Sequence, residues 1–116
     1  MMNFTFTNQL HYLVNKVDGE HVAHCLDLDL VGSGADVDSA VEQLNDAVRA
    51  IVYFCMKSGA QDTSAHCQKA PKEYWEMFNQ ALDDRAPVFK TVDVASEIAP
   101  VTVMECHFIY QLAIAA

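Results

Sequence analysis

The sequence is poor in basic residues. It has 7 Lys and Arg against 16 Asp and Glu in 116 residues, which gives a formal net charge of −9. Nucleic acid is bound chiefly through Lys and Arg, and seven dispersed cations form no basic stripe. This composition disfavours direct DNA binding by the chain. An acidic surface instead suits a basic protein partner, because complementary fields speed encounter, or it serves only to keep the protein in solution.

Long apolar runs are also missing. No segment approaches the roughly 20 residues needed to span a bilayer, and "MMNFTFTNQLHY" (1–12) has no basic region followed by an apolar core. We therefore expect no membrane association and a cytoplasmic protein. Hydrophobic residues make up 52% of the chain, which fits one globular domain. The cysteines lack the spacing of a disulfide scaffold and are expected to be reduced thiols: Cys25, Cys55, Cys67 and Cys106.

A strand meander is predicted near the N-terminus. "LHYLVNKV" (10–17) precedes Asp18-Gly19, a dipeptide that favours a tight hairpin because Gly accepts a positive φ. "EHVAHCL" (20–26) is the predicted returning strand, and "DLVGS" (29–33) is a further short strand. We expect an antiparallel arrangement with one face on the core and the other partly in water.

A long helix is predicted over residues 37–57. Apolar residues at steps of three and four form one stripe: Val37, Ala40, Val41, Leu44, Ala47, Val48, Ile51, Val52 and Cys55. Asp36 suits the N-cap, and Asp38 places negative charge in the first turn, where the helix dipole favours it. Gly59 can adopt the left-handed conformation that ends a helix. A turn into this helix accounts for the glycines of "GSGAD" (32–36).

The second half of the chain predicts a helix and two strands. A polar connector (60–70) precedes a helix that begins at Pro71, whose apolar face is Tyr74, Trp75, Phe78, Ala81 and Leu82. Packing on the sheet explains that spacing, and an exposed aromatic patch for a partner is the alternative. "VFKTVDV" (88–94) and "VTVMECHFIYQLAIA" (101–115) are strand-like. The second is apolar on both alternating sets, which is typical of a central strand or a subunit contact.

The stretch "DGEHVAHCLDLDLVGSGADVDSAVEQLNDAVRAIV" (18–52) resembles the HicB-like family, the antitoxin fold of HicA–HicB toxin–antitoxin modules and its stand-alone relatives. The matching features are the Asp18-Gly19 turn, the strand after it, and Gly34 before a helix similar to the family's T-x-E-E-A-x-x-N-L-x-x-A pattern. Asp36 stands where the family has its capping Thr, which is conservative because both accept from helix N–H groups. The resemblance covers about residues 10–54.

This resemblance implies a partial double-stranded-RNA-binding-like fold, with a small sheet packed on one helix. It also implies a protein that neutralises a small basic ribonuclease toxin of the HicA type and forms homodimers or tetramers. Full antitoxins of the family carry a C-terminal helix-turn-helix or ribbon-helix-helix DNA-binding domain. Residues 60–116 contain no basic recognition helix, so we expect a stand-alone member without operator binding.

Four aspartates are the candidate partner-binding residues: Asp27, Asp29, Asp36 and Asp38. Strand alternation would place Asp27 and Asp29 on one face. The leucines at 26, 28 and 30 would then be buried on the other face. Such a row can form a weak cation site or an acid/base pair, but it is more often the solvated side of an amphipathic strand.

Histidine and cysteine lie side by side three times, at residues 24–25, 66–67 and 106–107. Adjacent residues on a strand point to opposite faces, so neither His24 and Cys25 nor Cys106 and His107 can easily share a metal ion. We expect Cys25 and Cys106 in the core and the histidines facing outward. Cys55 lies on the apolar stripe near the C-terminal end of the long helix, where a thiolate gains no stabilisation. The sequence therefore predicts no metal, no cofactor and no enzymatic activity.

Together these features predict a single α+β domain over residues 1–116. A small antiparallel sheet in β-β-β-α-β order would pack on the helix at 37–57, with an extra helix and C-terminal strands added. The predicted function is a non-enzymatic HicB-like antitoxin-type protein, homo-oligomeric, that masks a basic ribonuclease toxin or another basic partner with its acidic face. The alternative is a stand-alone accessory protein, RNA-linked or small-ligand-binding, with no toxin partner.

Overall fold

The computed structural model of the chain describes residues 9–59, 68–96, 98 and 100–108. The elements in chain order are β1 (Leu10–Val17), β2 (Glu20–Cys25), β3 (Leu30–Gly34), α1 (Val37–Lys57), α2 (Lys72–Asp84), β4 (Val88–Val92) and β5 (Val101–His107). The five strands form one sheet in the order β3-β2-β1-β5-β4. β1 and β5 are parallel, and the other neighbours are antiparallel. The predicted α+β class is confirmed, as is the long helix at 37–57 packed on the sheet.

The first hairpin follows from its two central residues. Asp18 and Gly19 have φ values of 51° and 82°, and Val17 pairs with Glu20 across the turn. Two consecutive positive φ values match the right-handed twist of the flanking strands, which is why Asp-Gly is favoured at this position. The predicted hairpin is confirmed.

Helix α1 covers one face of the sheet and closes the larger core. At its start, the Asp36 carboxylate accepts the backbone N–H of Ser39 at 2.7 Å. Gly59 follows its end with φ of 81°. The predicted stripe is buried at six positions of the helix: Ala40, Val41, Leu44, Val48, Val52 and Cys55. They pack against inward-facing residues of the strands, among them Tyr12, Ala23 and Val103.

Gly32 and Gly34 allow α1 to approach β3 closely. A Cβ on Gly32 would lie 2.5 Å from the carbonyl oxygen of Ala40 and 2.5 Å from the backbone nitrogen of Leu44. A Cβ on Gly34 would lie 2.6 Å from the Cβ of Ser39. Our explanation of these glycines by a turn was wrong, because both lie within strand β3. They are required by helix contact rather than by backbone conformation.

Helix α2 covers part of the opposite face of the sheet. Its Phe78 and Ala81 are buried in a second, smaller core with Leu13, Leu26, Ala70 and Cys106. The segment before α2 is held by one backbone hydrogen bond, from the Ala70 N–H to the Leu26 carbonyl at 2.7 Å, and Leu26 is itself held to β1 by its N–H, which donates to the His11 carbonyl at 2.9 Å. Packing of the second helix on the sheet, predicted from its apolar spacing, is confirmed.

Strand β5 lies inside the sheet, between β1 and β4. Val101, Val103 and Cys106 are buried, so the predicted central position holds for residues 101–107. The rest of that predicted strand, beyond residue 108, lies outside the described residues. β4 is an edge strand whose Phe89 is 63% exposed. Neither of the two helices described here is long and apolar enough to cross a membrane.

Candidate functional site

The four candidate aspartates are brought together as two pairs, not as one row. Asp27 and Asp29 lie in the turn that precedes β3, whereas Asp36 and Asp38 lie where α1 begins, after β3. A five-residue strand is about 17 Å long, so the two pairs are at opposite ends of β3. Of the four, only Asp38 belongs to the outward surface of α1.

The expected alternation over residues 26–30 is wrong, because residues 26–29 form a turn. Asp27 accepts the backbone N–H of His11 at 2.6 Å and contacts the His11 ring at 3.0 Å from Nδ1. Asp29 has φ of 52°. Leu26 and Leu28 enter different cores, on opposite faces of the sheet. The hydrogen bonds of Asp27 to β1 and the positive φ of Asp29 therefore outweigh the strand-like spacing.

Histidines in contact with α2 are partly or fully covered by its aromatic side chains. His24 is 7% exposed, its Nε2 lies 2.7 Å from Asp29 Oδ1, and its ring meets Tyr74 edge-on at 4.7 Å. The His11 ring lies 5.4 Å from Trp75 and 5.3 Å from Phe78. The expectation that the histidines face outward is wrong for His24. Burial is tolerated there because Asp29 partners the ring nitrogen.

A buried carboxylate, Glu105, lies on the α1 face of β5 and was missed by sequence reasoning. It is 2% exposed, and its two oxygens lie 3.0 Å from Lys90 Nζ and 2.7 Å from His107 Nε2. Tyr12 pairs with it across the strands and donates its hydroxyl to Asn45 Oδ1 at 2.9 Å. Burial raises the pKa of Tyr12 well above its usual value, and Cys25 and Glu105 add to the shift. The sequence signal was a single Glu with a His two residues later in an otherwise apolar strand.

An acidic row runs along the exposed side of α1. It consists of Asp38, Glu42 and Asp46, spaced four residues apart and all exposed. Arg49 Nη1 donates to Glu42 at 3.2 Å and to Asp46 at 2.7 Å, while its Nε donates to the carbonyl of Asp93 at 2.9 Å. Two carboxylates of the row therefore share one guanidinium, and the row keeps an excess of negative charge.

A cavity of about 460 Å³ opens at the end of the sheet where β1 turns into β2. Four basic side chains line this cationic cavity: Lys16, His21, Arg85 and His107. They come from β1, β2, the end of α2 and β5. Val14, Val37 and Phe108 supply apolar lining. Sequence reasoning missed the cavity because its residues are far apart in the chain.

The thiols of the described residues are placed as small core residues. Cys25 and Cys106 are buried, as predicted, and so is Cys55. Burial raises the pKa of Cys106, and Glu105 beside it raises it further, so that a thiolate is disfavoured at this position. Within the described part of the chain, no group of three or more His, Cys, Asp or Glu is arranged to hold a metal ion. His66 and Cys67 lie outside that part.

No protein-family model, curated protein or solved structure matches the chain.

Proposed function

We propose that this chain is a non-enzymatic HicB-like binding protein that neutralises a small basic ribonuclease toxin of the HicA type by protein–protein contact. The observation that carries the proposal is the acidic row Asp38, Glu42 and Asp46 on the outward side of α1. The side chains of Glu42 and Asp46 are 63% and 70% exposed. Both contact Arg49, yet their exposure leaves them accessible to further cationic groups of a partner.

The acidic row is displayed on a rigid support. α1 is fixed to β3 by the close glycine contacts and by Gln43, whose Oε1 accepts the Ser33 N–H at 2.7 Å. Residues four apart on a helix have Cβ atoms about 6 Å apart, so the carboxylates form a preorganised ladder. Preorganised charge of one sign steers a partner of opposite charge and fixes its orientation.

The order of elements supports the same proposal. β1, β2, β3 and α1 follow one another as the HicB resemblance implies, with the Asp18-Gly19 turn and the Asp36 cap at the positions that carry the resemblance. We infer a homodimer or tetramer that acts in the cytoplasm and does not bind DNA.

The test is reconstitution with a HicA-type ribonuclease encoded beside this chain. We expect the two to co-purify, and RNA cleavage to fall to background when the chain is present in at least equimolar amount. Cleavage that continues unchanged in the presence of excess chain, with no complex on a sizing column, would contradict the proposal.

A second candidate is a stand-alone accessory protein that binds a small ligand and has no toxin partner. The cationic cavity is the observation that favours it, since convergent polar groups above an apolar floor are typical of ligand sites. The two candidates are separable, because one uses the outer side of α1 and the other uses the end of the sheet. Charge reversal on α1 would disturb the first function and leave the second intact.

A further inference from the structure

The cationic cavity concentrates positive charge in a strongly acidic protein. Lys16 and Arg85 are two of only 7 Lys and Arg in a chain of net charge −9, yet both line the same cavity with two histidines. Both side chains are exposed, so water screens their mutual repulsion, and an anion bound in the cavity would be attracted by both.

The protein's own carboxylates do not supply a counter-charge to Lys16 or Arg85 in the described part of the chain. The side chains of Lys16 and Arg85 form no ion pair with any described residue. His107 contacts Glu105, but that carboxylate is buried and already held by Lys90. His21 Nδ1 lies 3.2 Å from the carbonyl oxygen of Ala35.

One acidic group near the cavity, Asp36, interacts electrostatically with His21. Its carboxylate caps α1 by accepting the Ser39 N–H, and Val37, the first residue of that helix, lines the cavity. Lys16 and Arg85 are therefore left without a carboxylate partner among the described residues.

The lining also has an apolar side. Val14 is buried and Val37 half-buried on the α1 side of the sheet, and Phe108 is half-buried on the α2 side. All three line the cavity. The volume of about 460 Å³ falls in the range of sites for small organic molecules rather than single ions.

We propose that this cavity binds a small organic phosphomonoester, with the phosphate between Lys16 and Arg85 and a compact apolar group against Val14, Val37 and Phe108. A phosphomonoester carries nearly two negative charges at neutral pH, which match the two fixed cations. The guanidinium of Arg85 can donate two parallel hydrogen bonds to such a group, and Lys16 contributes a point charge. This site is independent of toxin binding.

Phenyl phosphate is the probe, titrated into the full-length chain by calorimetry at low ionic strength. Benzylamine has a similar shape and opposite charge, and inorganic phosphate lacks the apolar group. We expect phenyl phosphate to bind, inorganic phosphate to bind at least about tenfold more weakly, and benzylamine not to bind.

Variants locate the site. Lys16→Gln and Arg85→Gln should each weaken phenyl phosphate binding by about tenfold, because each removes one charge-assisted contact. Lys72→Gln is the matched control, since Lys72 is exposed and lies on α2 away from the cavity lining, and it should leave binding unchanged. All three positions are on the surface, so folding is preserved and is checked by circular dichroism.

Three results would each overturn the inference: no binding of phenyl phosphate at millimolar concentration, equal affinity for benzylamine, or Lys16→Gln and Arg85→Gln variants that bind as well as Lys72→Gln.

Discussion

Glu105 shows how a single buried charge is accommodated in this protein. A carboxylate removed from water is costly unless it is paired and hydrogen-bonded. Lys90 from the edge strand and His107 from the same strand each contact one oxygen of Glu105. The Lys90 side chain is 41% exposed, so its ammonium group stays partly hydrated while it neutralises the buried partner.

Replacing Lys90 by Met is expected to destabilise the protein by about 1–3 kcal/mol, because Glu105 loses a charged partner while remaining buried. Urea unfolding measures this change. Lys72→Met is the matched control and should change stability by less than about 0.5 kcal/mol, since Lys72 is 88% exposed and its contact with Glu76 is 3.7 Å long. Adding Glu105→Gln to the Lys90→Met variant should restore part of the loss. If Lys90→Met is no worse than Lys72→Met, the pairing of Glu105 is not needed for stability.

The close contact of Gly32 with α1 gives a second prediction about a single residue, a loss of stability when Gly32 is replaced. A methyl group there would run into the backbone of α1 at two points, and backbone atoms cannot rotate away as a flexible side chain can. We expect Gly32→Ala to cost at least about 1–3 kcal/mol in urea unfolding. Val31→Ala is the neighbouring control, since Val31 is 54% exposed. Equal stability of the two variants would show that α1 can shift away from β3 at no cost.

At the scale of elements, the start of α1 depends on Asp36. The backbone N–H of Ser39 donates to its carboxylate, and this hydrogen bond, with that from the Ser39 hydroxyl, lowers the pKa of Asp36 below its ordinary value. A group whose pKa is lowered by folding stabilises the fold above its unfolded pKa. That contribution is lost as the pH falls through the lower, folded pKa.

Asp36→Asn should therefore lower the melting temperature at pH 7 and have little effect in acid. Asn still accepts a hydrogen bond at the N-cap but cannot carry the charge that the helix dipole favours. Thermal melts at a series of pH values measure the difference from wild type. Glu76→Gln, on the exposed side of α2, is the control, and its difference should stay small throughout. If the melting temperature of Asp36→Asn stays equally far below that of wild type at low pH, the negative charge of Asp36 does not stabilise α1 as proposed.

Local signals explain which elements the sequence could predict. The limits of α1 were predictable because its cap, apolar stripe and terminal Gly59 all lie within one stretch of chain. The hairpin was predictable because Asp18 and Gly19 determine it alone. The turn at 26–29 was not, since the Leu-Asp alternation imitates a strand, and the bonds of Asp27 to His11 come from another element.

Features that depend on contacts between distant segments could not be predicted from the sequence. Strand β5 lies between β1 and β4 because it pairs in parallel with β1, which is distant in the chain. No local sequence pattern indicates that pairing. Burial of His24 depends on α2, about 50 residues further along the chain. The cationic cavity likewise needs four elements to meet. Of the acidic row, only Asp38 was predicted from the sequence, whereas Glu42 and Asp46 became evident only from the outward side of α1.

At the scale of the whole molecule, both edge strands of the sheet display apolar side chains to solvent. On β4, Val88 is 46% and Phe89 is 63% exposed, and on β3, Val31 is 54% exposed. Edge strands with exposed apolar residues favour pairing with another chain. This distribution supports the inferred homo-oligomer.

Light scattering of purified protein tests that inference. We expect the wild-type mass to be that of a dimer or tetramer, and Phe89→Glu to give a smaller particle because the charge opposes strand pairing at β4. Val17→Glu, at the exposed end of the inner strand β1, is the control and should keep the wild-type mass. A monomeric wild type, or a Phe89→Glu variant of unchanged mass, would contradict assembly through β4.

The most direct test of the proposed function is the affinity of the chain for a HicA-type ribonuclease toxin after charge reversal on α1. Asp38→Lys combined with Glu42→Lys should raise the dissociation constant by at least about tenfold, because the partner's cations then face like charge. The control is Glu73→Lys with Glu76→Lys, which makes the same change in net charge on the exposed side of α2. The account predicts that the control binds within about twofold of wild type. Equal loss in both double variants, or no loss in either, would contradict the acidic row as the binding surface.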